Sequence, residues 1–114
     1  MFVMHAFHAH LYFSVAEIKF ASQVRDDIAQ ALPYLTYIGQ PIPMLVGPHS
    51  QPMFEMHIPA TKIEHATTIL NDLRAGFSVL IHPVQLDELA AHTDEAEWLG
   101  EKLALKREAL YARH

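Results

Sequence analysis

The chain has 114 residues, of which 51% are hydrophobic and 18% charged, with a formal net charge of −5. These values predict one soluble globular domain over residues 1–114, and no signal-peptide pattern is visible, so a cytoplasmic location is the default expectation. The acidic charge disfavours nucleic acid and anionic membranes as partners, and no apolar run is long enough to span a bilayer. The absence of cysteine excludes disulfides and thiolate chemistry, and nine histidines are the one unusual feature of the composition.

The first predicted strand, residues 7–13, has two different faces. One face is an ordinary apolar core face, formed by Phe7, Ala9, Leu11 and Phe13. Because alternate side chains of a strand point to opposite sides, the other face carries His8, His10 and Tyr12. Two strand steps separate the Cα atoms of the two histidines by roughly 7 Å, so both imidazoles point the same way.

An amphipathic helix is predicted directly after this strand. Ser14 and Glu17 have the spacing of a capping box, apolar residues then recur at helical intervals, and Pro33 ends a helix of about 17 residues. Residues 34–46 contain β-branched and aromatic residues together with two prolines, which cannot donate to a β-ladder. This segment is therefore predicted to be an irregular edge strand.

Two further strands are predicted, at residues 53–58 and 77–82. In each of them the apolar positions alternate with residues that bear polar side chains. The alternation places Glu55 and His57 on the non-core face of the earlier strand, and His82 on the corresponding face of the later one.

Between these strands lies a second predicted helix, with Thr61 and Glu64 as its capping box and an end near Gly76. The tail, residues 84–114, is predicted to be a helical extension with a turn at residues 92–94. Trp98 is expected to be a packing residue of this tail.

The element order β-α-β-β-α-β is that of the ferredoxin-like α+β fold, over residues 1–83. In that fold the sheet order is 4-1-3-2 and both helices cover one face. The polar positions of three adjacent strands then meet on the open face; they are His8, His10, Glu55, His57 and His82. Because an open sheet face needs a cover, we expect the tail or a second subunit, and hence a homodimer, to shield it.

Taken alone, a His-X-His pair is more often part of a solvated strand than a metal site, and His49 and His57 could each be ordinary surface histidines. The convergence with His82 and with Glu55 or His57 shifts this balance towards a metal site. Two or three imidazoles and one carboxylate, with coordination positions left open, suit non-haem Fe(II) that binds both substrate and dioxygen. Zn²⁺ in purified or crystallised protein would be compatible with this interpretation, because it often outcompetes Fe²⁺ at histidine sites.

Five segments carry a family resemblance. They are residues 8–13 (HAHLYF), 47–49 (GPH), 52–55 (PMFE), 78–83 (SVLIHP), and 92–94 (HTD) with 98–100 (WLG). In this order and spacing the chain resembles the DOPA 4,5-dioxygenase family of fungal and bacterial type. The resemblance implies a ferredoxin-like fold and extradiol cleavage of a catechol by a metal-dependent oxygenase. Ser50 and Glu95 depart from the family pattern, in which proline and histidine are expected.

The histidines that match the family's are His8, His10, His49, His82 and, in the tail, His92. The resulting hypothesis is an Fe(II) site built from some of His8, His10, His49 and His82, with Glu55 as a further candidate ligand. His92, His49 or His57 would act as the acid or base on a small aromatic diol during its reaction with O2. The alternative is a non-catalytic dimeric module that binds a metal or a small ligand.

Overall fold

The computed structural model describes residues 6–43, 49, 51–84 and 96–103. Its helices are α1 (Ile18–Ala31) and α2 (Ile63–Leu73), each entered through a 3₁₀ turn, at Val15–Glu17 and Ala60–Lys62. Its strands are β1 (Ala6–Tyr12), β2 (Tyr37–Ile38), β3 (Met53–Pro59), β4 (Val79–Pro83) and β5 (Glu97–Leu99).

The strands of the described residues form one antiparallel sheet in the order β2-β3-β1-β4-β5. Strand β1 lies at its centre, between β3 and β4. With two helices against this sheet, the predicted ferredoxin-like α+β class is confirmed.

Both helices cover the same face of the sheet, as the distribution of buried apolar residues shows. The main core joins β1, β3 and β4 to α1 and α2 through Leu11, Phe13, Val24, Ile28, Phe54, Met56, Ile58, Ala66, Leu70, Val79 and Ile81. Burial of this apolar surface is the main force that holds the helices against the sheet. The histidine-bearing positions of the strands consequently face the other way.

Strand β5 corrects the prediction of a purely helical tail. Leu99 pairs with Val79, and Glu97 pairs with Ile81, which adds a fifth strand beyond β4. The short Trp98-Leu99 sequence has no alternating pattern that would predict a strand. Its strand conformation depends on pairing with β4. The rest of the predicted helical tail, residues 85–95 and 104–114, lies outside the described residues.

Of the two capping boxes predicted at the helix starts, the structure contains the first and lacks the second. The Ser14 backbone N–H and hydroxyl both donate to Glu17 Oε1, at 3.3 and 2.8 Å, which confirms the first capping box. The prediction of a capping box at Thr61 and Glu64 is wrong. There the 3₁₀ turn brings the chain into α2, and its N-cap, Lys62, makes no side-chain capping hydrogen bond.

The predicted edge strand at residues 34–46 is much shorter than expected. It comprises the two residues of β2 and an isolated bridge between Ile42 and Met53. The prolines in this segment cannot donate to the ladder, which limits regular pairing. No helix among the described residues is long and apolar enough to cross a membrane.

Candidate metal centre

The register of the sheet brings the predicted polar residues together in two adjacent rows. His8 lies opposite His57 of β3 on one side and opposite His82 of β4 on the other. In the next row His10 lies opposite Glu55. Pairing across three strands therefore builds a cluster on the face that the helices leave open. The structure places all five of these residues in it.

The buried part of the cluster is the pair formed by His10 and His82, whose side chains are about as inaccessible as core residues. Their Nε2 atoms are 3.0 Å apart, and their rings lie nearly parallel, with an interplanar angle of 15°. His82 Nδ1 also lies 3.0 Å from the carbonyl oxygen of Pro83. On the opposite side of the pair, His10 Nδ1 faces Glu55 Oε1 at 3.6 Å.

The outer contact of His82 indicates where its ring proton lies. A carbonyl oxygen can only accept, so His82 Nδ1 donates to it and neutral His82 keeps a lone pair at Nε2. Glu55 Oε1, at 3.6 Å from His10 Nδ1, is beyond hydrogen-bond distance, so both tautomers of His10 stay open. With its proton on Nε2, His10 donates to His82 Nε2; with its proton on Nδ1, two lone pairs face each other at 3.0 Å, an arrangement that a metal cation can bind.

The geometry of this pair fits a metal cation. Two ring nitrogens that each lie about 2.1 Å from one ion are themselves roughly 3.0–3.4 Å apart, for right-angled to tetrahedral coordination. Histidine ligands of metals also characteristically donate their second ring N–H to a carbonyl or a carboxylate, as His82 does to Pro83. The nitrogen donors of His10 and His82 therefore have a spacing and a partner that suit a transition metal.

A second group of donors adjoins the pair. One ligand atom from each of His8, Glu55 and His57 lies within 4.8 Å of the other two. Glu55 Oε2 accepts a hydrogen bond from His57 Nε2 at 2.7 Å, and the rings of His8 and His57 stack at 3.9 Å. About a third of the Glu55 and His57 side chains is exposed, so this group lies at the solvent side of the cluster. Glu55, between His57 and His10, connects the two groups.

His49 joins the buried side of the cluster, although it lies in a loop. Its ring centroid is 4.4 Å from that of His10, and its Nδ1 is 2.5 Å from the hydroxyl oxygen of Tyr12. Both His49 and Tyr12 are buried. Burial raises the pKa of the Tyr12 phenol well above its ordinary value, so this phenol stays protonated.

Trp98 and its neighbours close one end of the histidine face. The Trp98 ring stacks on that of Tyr12 with centroids 5.7 Å apart. With Leu103 it packs against a small apolar cluster that includes Met53 and Leu80. The expected packing role of Trp98 is confirmed, and this part of the tail covers one end of the open sheet face.

The sequence did not predict two of the contacts in the cluster, and one predicted site residue lies outside the described part of the chain. The contact between Tyr12 and His49 was missed because loop residue 49 has no strand register that would predict its position. The ring of Tyr37, 4.7 Å from that of His57, was also missed. His65, on α2, is exposed, and its Nδ1 lies 2.6 Å from the hydroxyl oxygen of Tyr34. The predicted acid or base His92 lies outside the described residues.

Comparison with known proteins assigns the chain to a family. The model of the Dopa 4,5-dioxygenase family matches residues 7–109, which is most of the sequence. The chain belongs to this family. The match includes β1, β3 and β4, which carry the histidine cluster.

Two individual relatives extend this comparison. The DOPA 4,5-dioxygenase of Amanita muscaria is 27% identical over 107 residues, a match that covers 86% of this chain and 46% of the relative. The chain thus spans about half the length of that curated relative. A crystal structure from Nostoc punctiforme, of a protein provisionally named a dioxygenase, superposes with a TM-score of 0.81 at 26% identity. That similarity covers 97% of this chain and 95% of the other.

Proposed function

We propose that this protein is a metal-dependent extradiol dioxygenase that opens the ring of a DOPA-like catechol with O2. The observation that carries the proposal is the pair of Nε2 atoms of His10 and His82, which face each other at 3.0 Å, with the carbonyl oxygen of Pro83 3.0 Å from His82 Nδ1. Membership of the Dopa 4,5-dioxygenase family supports the choice of an oxygenase over other metal-dependent activities.

His10 and His82 would hold the metal, and His8, His49 and Glu55 are the candidates for its remaining ligands. Fe(II), when bound, supplies open coordination positions at which a catechol and dioxygen can meet. A set of imidazoles with one carboxylate also binds Zn²⁺, so zinc in a purified sample would be compatible with an iron enzyme.

The proton of the catechol would be taken up by His57. Its imidazole is partly exposed, so a diol can reach it, and its hydrogen bond to Glu55 fixes the orientation of the ring. A histidine paired with a carboxylate is suited to accept a proton near neutral pH and to stabilise the resulting positive charge. His49 and His92 remain the other candidates for this role.

The test begins with anaerobic reconstitution of the cation-free protein with Fe(II), followed by a panel of catechols. Oxygen uptake and the absorbance of a yellow ring-opened product should appear together. The His82→Ala variant should lose both, whereas His65→Ala, a change at an exposed histidine of α2, should keep them. Circular dichroism establishes that each variant is folded.

Tight catechol binding by the iron-loaded protein without oxygen uptake would refute the dioxygenase. That outcome would favour the alternative, a ferredoxin-like module that binds a metal or a small ligand without catalysis.

A further inference from the structure

The hydrogen bond between Tyr12 and His49 determines more than the position of the His49 ring. The two atoms, Tyr12 Oη and His49 Nδ1, are 2.5 Å apart, and the two side chains are only 1% and 3% exposed. Because a phenol is protonated at neutral pH, Tyr12 brings one O–H donor into a site from which bulk water is excluded. That donor needs an acceptor.

Within the part of the chain that the structure describes, His49 Nδ1 is the hydrogen-bond partner recorded for Tyr12 Oη. If Nδ1 carried a proton, the phenol oxygen would accept it and the Tyr12 O–H would be buried without an acceptor. A buried donor left in this way costs about 1–3 kcal/mol. The favourable arrangement is therefore the one in which Tyr12 donates and His49 Nδ1 accepts.

This arrangement fixes the tautomer of His49. A neutral imidazole carries one proton, so when Nδ1 accepts from Tyr12, the proton lies on Nε2. A nitrogen that bears a proton has no lone pair to give to a metal, and Nδ1 is already engaged. His49 then differs from His82, in which the carbonyl of Pro83 holds the proton on Nδ1, so that the lone pair lies on Nε2.

We infer that His49 is a hydrogen-bond donor to an anionic oxygen of the bound substrate, and not a metal ligand, with Tyr12 as the residue that positions it. The inference rests on the proposed dioxygenase function and narrows it. The His49 ring lies 4.4 Å from that of His10, so a donor on this ring adjoins the pair that would hold the metal. Trp98, stacked on the Tyr12 ring, holds the phenol in place.

The direct test is nuclear magnetic resonance of the cation-free protein with ¹⁵N-labelled histidine rings. The signals of His49 are assigned from their loss in His49→Gln. Proton-coupled spectra near neutral pH should show His49 protonated at Nε2 and unprotonated at Nδ1. In Tyr12→Phe this preference should weaken, because the donor to Nδ1 is gone. A proton on Nδ1 of the wild-type ring, neutral or charged, would overturn the inference.

Cation affinity gives a second and independent readout. Titration with Co²⁺ should give dissociation constants for His49→Gln and Tyr12→Phe within about threefold of the wild type, since neither residue supplies a ligand. His82→Ala should weaken Co²⁺ binding by more than about tenfold, because removal even of a residue that supports a ligand costs that much. Equal losses in His49→Gln and His82→Ala would make His49 a ligand and contradict the inference.

Catalysis separates a positioning role from a structural one. In the iron-loaded enzyme, Tyr12→Phe should lower kcat by about 10- to 100-fold with little change in KM. This is less than the roughly 10²- to 10⁴-fold contribution of a proton donor itself, because His49 is still present. The double variant Tyr12→Phe/His49→Gln should be no slower than His49→Gln alone, because Tyr12 acts through His49. Additive losses would contradict this. If no catechol is oxidised, the proposed function fails, but the tautomer and the cation affinities still decide the role of His49.

Discussion

The same imidazole side chain has different chemistry at different points of this sheet, because its neighbours differ. His82 donates from Nδ1 to a carbonyl, His57 donates to a carboxylate, and His49 faces a phenol. Each partner selects which ring nitrogen keeps a lone pair. Burial sharpens the effect, since a buried polar atom without a partner is costly.

Glu55 provides a prediction at this scale. The Glu55→Gln variant keeps the size and hydrogen-bonding capacity of the side chain but removes the negative charge that faces His10 and His57. Co²⁺ affinity should fall by about tenfold or more, the loss typical of a carboxylate that supports or directly binds a metal. Titration calorimetry measures this change. The control Glu64→Gln, at an exposed position of α2, should bind as the wild type does, and unchanged affinity in Glu55→Gln would show that Glu55 has no part in the site.

The buried phenol of Tyr12 should make the stability of the protein depend on pH in the alkaline range. The pKa of its phenol is raised in the folded protein by burial, whereas in the unfolded chain it ionises near its ordinary value of 10.0. The unfolded state therefore loses this proton first, and the free energy of unfolding should fall as the pH rises above about 10. Urea unfolding between about pH 9 and pH 11, followed by circular dichroism, should show a weaker decline in Tyr12→Phe. Tyr37→Phe, at an exposed phenol, serves as the control, and an equal decline in all three proteins would contradict the prediction.

At the scale of elements, β1 organises both halves of the protein. Its two neighbours, β3 and β4, each have one face in the core and one face in the histidine cluster. A shift of one residue in either pairing would move apolar side chains out of the core and imidazoles into it. The hydrophobic core therefore fixes the register that assembles the candidate metal site.

The edge strand β2 depends on a contact from α1. Arg25 donates from Nε to the carbonyl of Gly39 at 3.1 Å and from a terminal nitrogen to that of Ile38 at 3.2 Å. Lysine cannot reproduce this fork, so Arg25→Lys should lower the free energy of unfolding by about 1–2 kcal/mol. Urea denaturation measures the difference. Gln23→Ala removes an exposed hydrogen bond within the same helix and should cost only about 0.5 kcal/mol or less. Equal costs for the two variants would mean that the Arg25 fork contributes little.

For the whole molecule, a metal bound at the candidate site would couple its binding to folding. Its donors come from β1, β3 and β4, which are distant in sequence, so the unfolded chain cannot present them together. At a free Zn²⁺ concentration about 100 times the dissociation constant, the folded state should gain about 2.7 kcal/mol. Thermal unfolding with Zn²⁺ and with a chelator measures this gain. The double variant His10→Ala/His82→Ala should show no gain, and an equal Zn²⁺ effect in that variant would place the bound ion elsewhere.

The open face also bears on assembly. Trp98 and Leu103 cover its end near Tyr12, while the imidazoles of His8 and His57 remain partly accessible. The homodimer expected from an uncovered sheet stays a prediction, which analytical ultracentrifugation of the full chain can decide.

The sequence alone determined the two-faced strands, the ferredoxin-like class and the side of the sheet to which five polar residues point. Alternation and helical spacing are local patterns, and burial of one apolar face leaves a strand little choice of orientation. The tertiary structure decided which imidazoles face each other, which polar atoms lie beside their ring nitrogens, that loop residue His49 contacts Tyr12, and that Trp98 lies on an added strand. These features depend on contacts between segments far apart in the chain, and such contacts leave no periodic signal in the sequence.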